Sequence, residues 1–311
     1  AAASDQPELW VRVSLDTRVG DEAGLAGLLA RALFGPEEAQ RIQTFEVLTA
    51  ALRTLDGPRV IHVGHLEYAF LRTVDGFRLV EKALEFFSYT DSLVAWLITM
   101  PFDAWRVLAT VSPSAASLSR TLSVGPLDAE GLKAVLVARH QRSGLALRFD
   151  EGSVPAAVLR GVDGPAELEN AFYARFWELT DGSAPLGLLY WIRSAAYEHE
   201  AEHVTIRWPE PLDFAFLEDL SWDQAFALQA FTEHGMLEVE EHARVFSTSS
   251  DRSYEILESL GNLFLIEPAG ALGRSDDQLT FSSVDRGVRY RVRPVLQPLV
   301  RRLLKERHLT T

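Results

Sequence analysis

A motif of the form H-E-x-x-H occupies His199–His203. On a helix its two histidines would share one face and could ligate Zn²⁺, with Glu200 as the general base. A zinc hydrolase also needs a third ligand, and the candidates at Glu240–His242 fall in a segment predicted to belong to another domain. The glutamate-rich surroundings of the motif fit a solvated helix end, so we expect no metal site there.

Composition removes several other catalytic constellations. The chain contains no cysteine, which excludes disulfides, thiolate metal sites and cysteine nucleophiles and fits a reducing compartment. A G-x-S-x-G nucleophile elbow is absent from the sequence. His62 and His65 are three residues apart on a predicted strand, so they should point to opposite faces and share no metal. Catalytic residues therefore remain unassigned, and no metal ligands are predicted.

Residues 285–311 form a basic segment, with eight basic and two acidic side chains. Such a segment could contact a phosphate backbone, an anionic membrane or an acidic protein surface, unless its arginines pair with acidic neighbours in the same chain. The candidates for contact with nucleic acid or an acidic partner are Arg289, Arg291, Arg293, Arg301 and Arg302. The helix expected to approach DNA, 250–260, carries Asp251, Glu255 and Glu258, which would repel phosphates. We therefore favour a protein-contact or inter-domain role over specific DNA binding.

The overall composition is that of a globular protein. The 311 residues are 47% hydrophobic and carry a net charge of −14, which opposes nucleic-acid binding by the molecule as a whole. No apolar stretch approaches the roughly 18 residues of a membrane helix, and the N-terminus resembles no signal peptide. We expect a cytoplasmic protein. Because the chain begins without Met, we also expect it to be processed or a fragment.

Hydrophobic periodicity divides the chain into three segments. In the first, 1–126, strands alternate with helices, which predicts βαβ units and a mostly parallel sheet. The predicted strands are 9–15, 59–63, 92–99 and 120–124, and the predicted helices are 21–33, 37–55 and 77–87. The strand at 92–99 is almost entirely apolar, as expected of a strand covered on both faces.

The other two segments are predicted to be a helical region and a winged helix. The second segment, 127–204, should contain only helices, at 129–140 after an Asp128 cap, at 165–179 and at 185–200. The third segment, 210–311, has the helix-helix-helix-strand-strand pattern of a winged helix-turn-helix, followed by a basic helix. Its predicted elements are 221–233, 237–246, 250–260, 263–266, 288–292 and 295–308.

Four stretches resemble parts of the AAA+ and STAND group of P-loop ATPases. Arg59–Arg72 is similar to the strand that carries the Walker B motif, and Trp96–Pro101 to the next strand, with Thr99 as the polar sensor at its tip. Leu132–Gly144 resembles the first helix of the lid, and Thr180–Trp191 the lid segment in which a glycine and a proline open a helix.

The resemblance implies an α/β fold: a P-loop NTPase-like parallel sheet core at 1–126, a helical lid at 127–204 and a winged-helix domain at 210–311. It also implies a nucleotide between core and lid. The cofactor-binding positions that it suggests are Gly64, His65, Thr99 and Pro185.

Two departures from that group limit the implied chemistry. No G-x-x-x-x-G-K-[ST] phosphate loop occurs in the chain, and the position of the Walker B aspartate is Gly64, followed by His65. Glycine offers Mg²⁺ no oxygen and imidazole is a poor ligand for it, while the nearest carboxylate, Glu67, comes three residues later. We expect no certain cofactor: ATP and Mg²⁺ could bind only with a phosphate loop supplied from elsewhere.

The sequence therefore predicts an ATPase-derived module that acts as a regulatory or protein-interaction platform and does not hydrolyse ATP by itself. The alternative is an ATP-binding ATPase or a DNA-binding regulator whose phosphate loop lies in an absent N-terminal segment, with Arg120, Arg175 or Arg193 near the phosphates. The expected partner is a protein or the chain's own missing N-terminal region, and non-specific nucleic-acid binding is a further expectation. No transmembrane segment is predicted.

Overall fold

A computed structural model describes residues 9–116, 120–197, 202–269 and 283–310. The chain divides into two compact units. The first contains Ala1–Leu122 and Trp222–Val292, and the second contains Ser123–Ser221 and Arg293–Thr311. Most of the third predicted segment thus shares a unit with the first, and its basic helix shares one with the second. The three-domain division stays a prediction.

The first unit is built on a parallel sheet of three strands, which confirms the predicted mixed α/β class. The strands β1 (Trp10–Ser14), β2 (Val60–Gly64) and β3 (Ala95–Thr99) lie in that order. Strands 59–63 and 92–99 were predicted to be parallel neighbours, and β2 and β3 are. The surrounding helices are α1 (Glu22–Phe34), α2 (Pro36–Ala39), α3 (Phe45–Leu52), α4 (Arg78–Tyr89), α5 (Phe102–Val111) and α6 (Pro113–Ala116).

Local capping decides where these helices start. The Asp21 side chain accepts a hydrogen bond from the Gly24 N–H at the start of α1. The single helix predicted at 37–55 is wrong, because the chain forms α2 and then restarts at α3. Thr44 caps α3, and the Glu22 carboxylate accepts from the Phe45 N–H, so the second start is fixed against α1.

The two faces of the sheet differ in burial. Val13, Ile61 and Val63 face the helices and are buried, whereas Trp10 and Leu97 on the other face are 44% and 41% exposed. The prediction that 92–99 is covered on both faces is therefore wrong. Its residues alternate in exposure because β3 is an edge strand and, among the described residues, the helices that bury it lie on one side of the sheet. The strand predicted at 120–124 is also wrong, since these residues are exposed and have no regular structure.

The second unit mixes helices with a small sheet, which corrects the prediction of a wholly helical segment. Its helices are α7 (Ala129–Gln141), α8 (Ala156–Leu159), α9 (Pro165–Thr180) and α10 (Ala184–Ser194). Its strands β4 (Ala146–Phe149), β5 (Ala195–Tyr197) and β6 (His203–Ile206) lie in the order β4-β6-β5. The helix predicted at 185–200 ends at Ser194, because the chain then pairs antiparallel with β6. The basic C-terminal helix α14 (Gln297–Glu306) belongs to this unit.

The remaining elements of the first unit follow the order expected of a winged helix. They are α11 (Trp222–His234), α12 (Val239–Phe246), α13 (Ser250–Asn262) and the antiparallel strands β7 (Ile266–Pro268) and β8 (Tyr290–Val292). Leu237, between α11 and α12, exchanges two backbone hydrogen bonds with Tyr290. A capping box between Glu238 and Glu241 opens α12.

We predict that Gly182→Ala destabilises the second unit far more than Gly144→Ala. Both glycines have positive φ, which costs an alanine about 1–2 kcal/mol. A Cβ on Gly182 would also lie 2.0 Å from the Leu127 carbonyl oxygen, whereas a Cβ on Gly144 meets nothing within 4 Å. Urea unfolding of the two variants measures the difference, and equal losses would show that the backbone moves away without cost.

Candidate functional site

Three of the predicted cofactor-binding residues meet at the carboxyl end of the parallel sheet, where α/β folds bind ligands. Gly64 ends β2 directly opposite Thr99 at the end of β3, and His65 follows Gly64. The Thr99 hydroxyl lies 2.9 Å from Nε2 of His62. Burial, with the nearby charges of Arg12 and His65, lowers the pKa of His62. The fourth predicted residue, Pro185, lies in the first turn of α10 in the second unit.

The carboxylate nearest to this end of β2 is turned inward. Glu67 is 1% exposed, and its Oε1 lies 2.9 Å from Nδ1 of His65, which is itself 56% exposed. Oε2 of Glu67 is buried and has no hydrogen-bond partner among the described atoms. Burial therefore raises the pKa of Glu67, an effect opposed by His65. A Cβ on Gly64 would make only ordinary contacts of 3.8 Å, so space does not force a glycine there.

The structure does not support a zinc site at the H-E-x-x-H motif. Residues 199–201 of the H-E-x-x-H motif lie outside the described residues. His203 lies in β6, so the helical spacing on which the zinc interpretation depends does not hold at the second histidine. In the part of the chain that the structure describes, no group of three or more histidines and carboxylates could hold a metal ion.

The predicted basic contact residues separate into two sets. In the first unit, Arg291 donates to Glu267 from Nε and Nη2 at 3.0 and 2.8 Å, and Arg289 lies 3.6 Å from the Glu241 carboxylate. Arg289 and Arg291 therefore pair with acidic residues of the same chain, which is the alternative that the sequence left open. Arg293, Arg301 and Arg302 belong to the second unit, where the last two are exposed on α14.

The exposed side of α13 is dominated by carboxylates. Arg252 is its basic residue, and that side chain is bound by Asp223 and Glu255. Asp251 is bound by Arg286. Asp251 and Glu255 therefore lie at the surface, whereas Glu258 is half-buried and accepts a hydrogen bond from the Val284 N–H at 2.6 Å.

Sequence reasoning missed a buried cluster that joins the core to α11 and α12, which we call the clamp: Arg18, Glu67, Arg72, Glu233 and Glu241. Arg18 follows β1, and its side chain is 9% exposed. Its guanidinium donates to Oε1 of Glu241 at 2.6 Å and to the Met236 carbonyl at 3.1 Å. It also donates to the carbonyls of Glu67 and Phe70 in the core. One buried cation thus binds both halves of the first unit.

The second point of the clamp is the pair of Arg72 and Glu233. Nη1 of Arg72 lies 3.1 and 2.8 Å from the two carboxylate oxygens of Glu233, which is buried. The Arg72 N–H also donates to Nε2 of His234 at 3.4 Å. Burial raises the pKa of Glu233 and lowers that of His234 well below its usual value. The role of Nε2 of His234 as an acceptor follows from its hydrogen bond with the Arg72 N–H.

Gly235 allows α11 to end close against the loop that follows β2. Its φ is +71°, and a Cβ there would lie 3.2 Å from the Tyr68 ring and 3.3 Å from Oε1 of Glu67. A glycine after a predicted helix was visible in the sequence, but it signals only a helix end. Arg18 and Glu241 are 223 residues apart, so no local pattern could have paired them.

Comparisons with known proteins give no family. No protein-family model matches the chain, and no curated protein is significantly similar to it. A solved structure of the Orc1 protein of Aeropyrum pernix in complex with DNA is similar at 15% identity with a TM-score of 0.36. The similarity covers 97% of this chain and 79% of that one. That similarity is too low to assign a family or an activity. No helix among the described residues is long and apolar enough to cross a membrane.

We predict that Arg18→Ala lowers the free energy of unfolding of the first unit by about 3–5 kcal/mol, because the Glu241 carboxylate would remain buried without its closest cation. Arg41→Ala is the matched control. Its exposed pair with Glu38 should be worth no more than about 1 kcal/mol. Urea unfolding followed by fluorescence measures both, and equal small losses would mean that Glu241 finds another partner or water.

Proposed function

We propose that this chain is a regulatory, protein-interacting module of AAA+/STAND-like design that does not hydrolyse ATP by itself. The proposal rests on the contacts that residues 65–72, the segment after β2, make with the rest of the protein. Its carboxylate, Glu67, is buried and held by His65, and its Arg72 binds Glu233 next to the end of α11. Phosphoryl transfer depends on bound metal ions and on charged groups that face the phosphate. Here Glu67 and Arg72 instead bind other side chains of the protein.

The edge of β3 supports the protein-interaction part of the proposal. Among the described residues, no strand pairs with the outer edge of β3. The strand Ala95–Thr99 carries no charged residue or proline, which are the usual protections of an open edge. A partner that covers this edge and the exposed face beside it would complete the sheet in the way that parallel sheets require.

The same edge favours a second candidate function. A strand added beside Thr99 could bring a phosphate loop to the carboxyl end of the sheet, next to Gly64 and His65. The completed assembly would then bind ATP, and this chain would contribute Thr99 as the polar residue at the strand tip. The loop would come from another segment or another chain.

We predict that millimolar Mg·ATP does not raise the melting temperature of the 311-residue chain. A ligand at about 100 times its Kd stabilises a protein by about 2.7 kcal/mol, which corresponds to several degrees. Gly64→Asp, whose Cβ would make only ordinary contacts, is the companion variant and should also remain unshifted if the missing phosphate loop is the limiting defect. ATP turnover by the unmodified chain would contradict the proposal, and a clear shift would contradict the expectation that ATP binds only with a phosphate loop supplied from elsewhere.

For nucleic acid we predict weak, sequence-independent binding through α14. Replacing Arg301, Arg302 and Lys305 with glutamate should abolish binding and remove most of its salt dependence, since each phosphate contact contributes a slope of about 0.9. Arg252→Ala on α13 should leave binding unchanged because that arginine is already bound by carboxylates. Fluorescence polarisation with two unrelated duplexes at two salt concentrations measures this. Sequence preference, or loss of binding in Arg252→Ala, would instead identify α13 as a recognition helix.

A further inference from the structure

His65 connects the surface of the molecule to the buried clamp. Its imidazole is more than half exposed at the carboxyl end of β2, while the carboxylate it bonds is 1% exposed. Within the described ranges, His65 is the one side chain that hydrogen-bonds to the carboxylate of Glu67. A solvent-accessible residue thus holds a buried charge in place.

Glu67 in turn contacts both sides of the clamp. Its carbonyl accepts a hydrogen bond from Nη1 of Arg18 at 3.3 Å, and Arg18 lies over the Tyr68 ring at 6.0 Å from its centroid. Its carboxylate lies against Gly235, at the junction of α11 and α12. A movement of Glu67 would therefore disturb the core anchor of Arg18 and the surface against which α11 ends.

The backbone conformation of His65 is a further reason to expect that this residue can leave its position beside Glu67. Its φ of 62° places a histidine in the left-handed region, which is sparsely populated by residues other than glycine. That conformation persists while the hydrogen bond to Glu67 and the packing of the following turn hold it. The ring also stacks on Tyr68, with centroids 5.5 Å apart. If the hydrogen bond is lost, relaxation of the backbone would carry the imidazole away from Glu67.

We propose that His65 is the external control element of the clamp. A group that binds at the carboxyl end of the sheet and draws His65 away from Glu67 would release α11 and α12 from the core. The reason is that a buried carboxylate without a partner is unfavourable, so the segment 65–72 must rearrange to hydrate or protonate it. This inference specifies the regulation in the proposed function and rests on it for biological meaning, but its physical content is a property of the chain alone.

Hydrogen exchange followed by mass spectrometry tests the proposal on the purified chain without ligand. In His65→Ala, exchange should accelerate at least tenfold in peptides from α11 and α12, while peptides from α1 and β1 stay unchanged. The matched control is His62→Ala, which removes the nearby histidine that lies in β2 and its bond to Thr99 but leaves the clamp intact. His62→Ala should leave α11 and α12 protected.

Two further variants separate control from general loss of stability. His65→Gly removes the imidazole and also relieves the left-handed strain, so it should release α11 and α12 as His65→Ala does. Adding Glu67→Gln to His65→Ala makes the buried group neutral and should restore protection to within about twofold of the unmodified chain.

The proposal is overturned if α11 and α12 remain protected in both His65 variants. It is equally overturned if exchange rises to the same extent in β1 and α1, since His65 would then support the whole unit. Failure of the Glu67→Gln rescue would show that the buried charge is not the transmitting group. None of these results depends on nucleotide, so they are distinguishable from a failure of the proposed function, which ATP turnover by the unmodified chain would reveal.

Discussion

The buried guanidinium of Arg18 is the constraint on which the first unit depends. A charge that is nine-tenths buried must have its donors satisfied, and the acceptors come from two regions of the chain more than 160 residues apart: Glu67 and Phe70 in the core, and Met236 and Glu241 before and in α12. Breaking such an arrangement by removing one partner strands the other in a medium of low dielectric constant. The position of α11 and α12 relative to the core of this unit is therefore determined by electrostatic interactions as well as by apolar packing.

The same contacts support our proposal that the resemblance to P-loop ATPases does not extend to their chemistry. In a phosphoryl-transfer site, carboxylates and cations face a ligand and are free to bind it. In this chain, Glu67 and Arg72 of the segment after β2 face protein, as does Glu241 of α12. Glu241 pairs with Arg18, Arg72 pairs with Glu233, and the Glu67 carboxylate is hydrogen-bonded to His65, while Gly64 and Thr99 at the sheet end are uncharged residues.

Part of this arrangement could be predicted from local sequence. Asp21 and Asp128 marked helix starts correctly, because capping is a contact between residues three positions apart. The parallel pairing of β2 with β3 followed from the alternation of strands and helices. Burial of the strand at 92–99 was misjudged because an apolar run does not reveal whether a second layer of helices is present. The short strand β5 was read as helix, since three residues carry too little periodicity to distinguish the two.

The candidate site also contains residues that could be predicted from the sequence and residues that could not. Gly64, His65 and Thr99 were placed at the ends of neighbouring strands by the resemblance to P-loop ATPases, and the parallel register of β2 and β3 brings those strand ends together. Their role as cofactor-binding residues stays a prediction. The clamp was not foreseen, because its pairs are tertiary contacts between residues that lie in unrelated local patterns. Gly235 and the arginines were visible only as a helix end and as positive charge.

The sheet end and the clamp share one segment, 65–72, and this has a thermodynamic consequence. If a partner binds better when His65 has left Glu67, it shifts the clamp toward its open state by no more than that difference in affinity. Linkage is reciprocal, so anything that opens the clamp, including a ligand of the freed helices α11 and α12, must strengthen binding at the sheet end by the same factor. A second ligand that binds at Glu241 or Arg289 would therefore act on the partner at the open edge of β3 through segment 65–72. It would change the affinity for that partner only to the extent that it moves this segment.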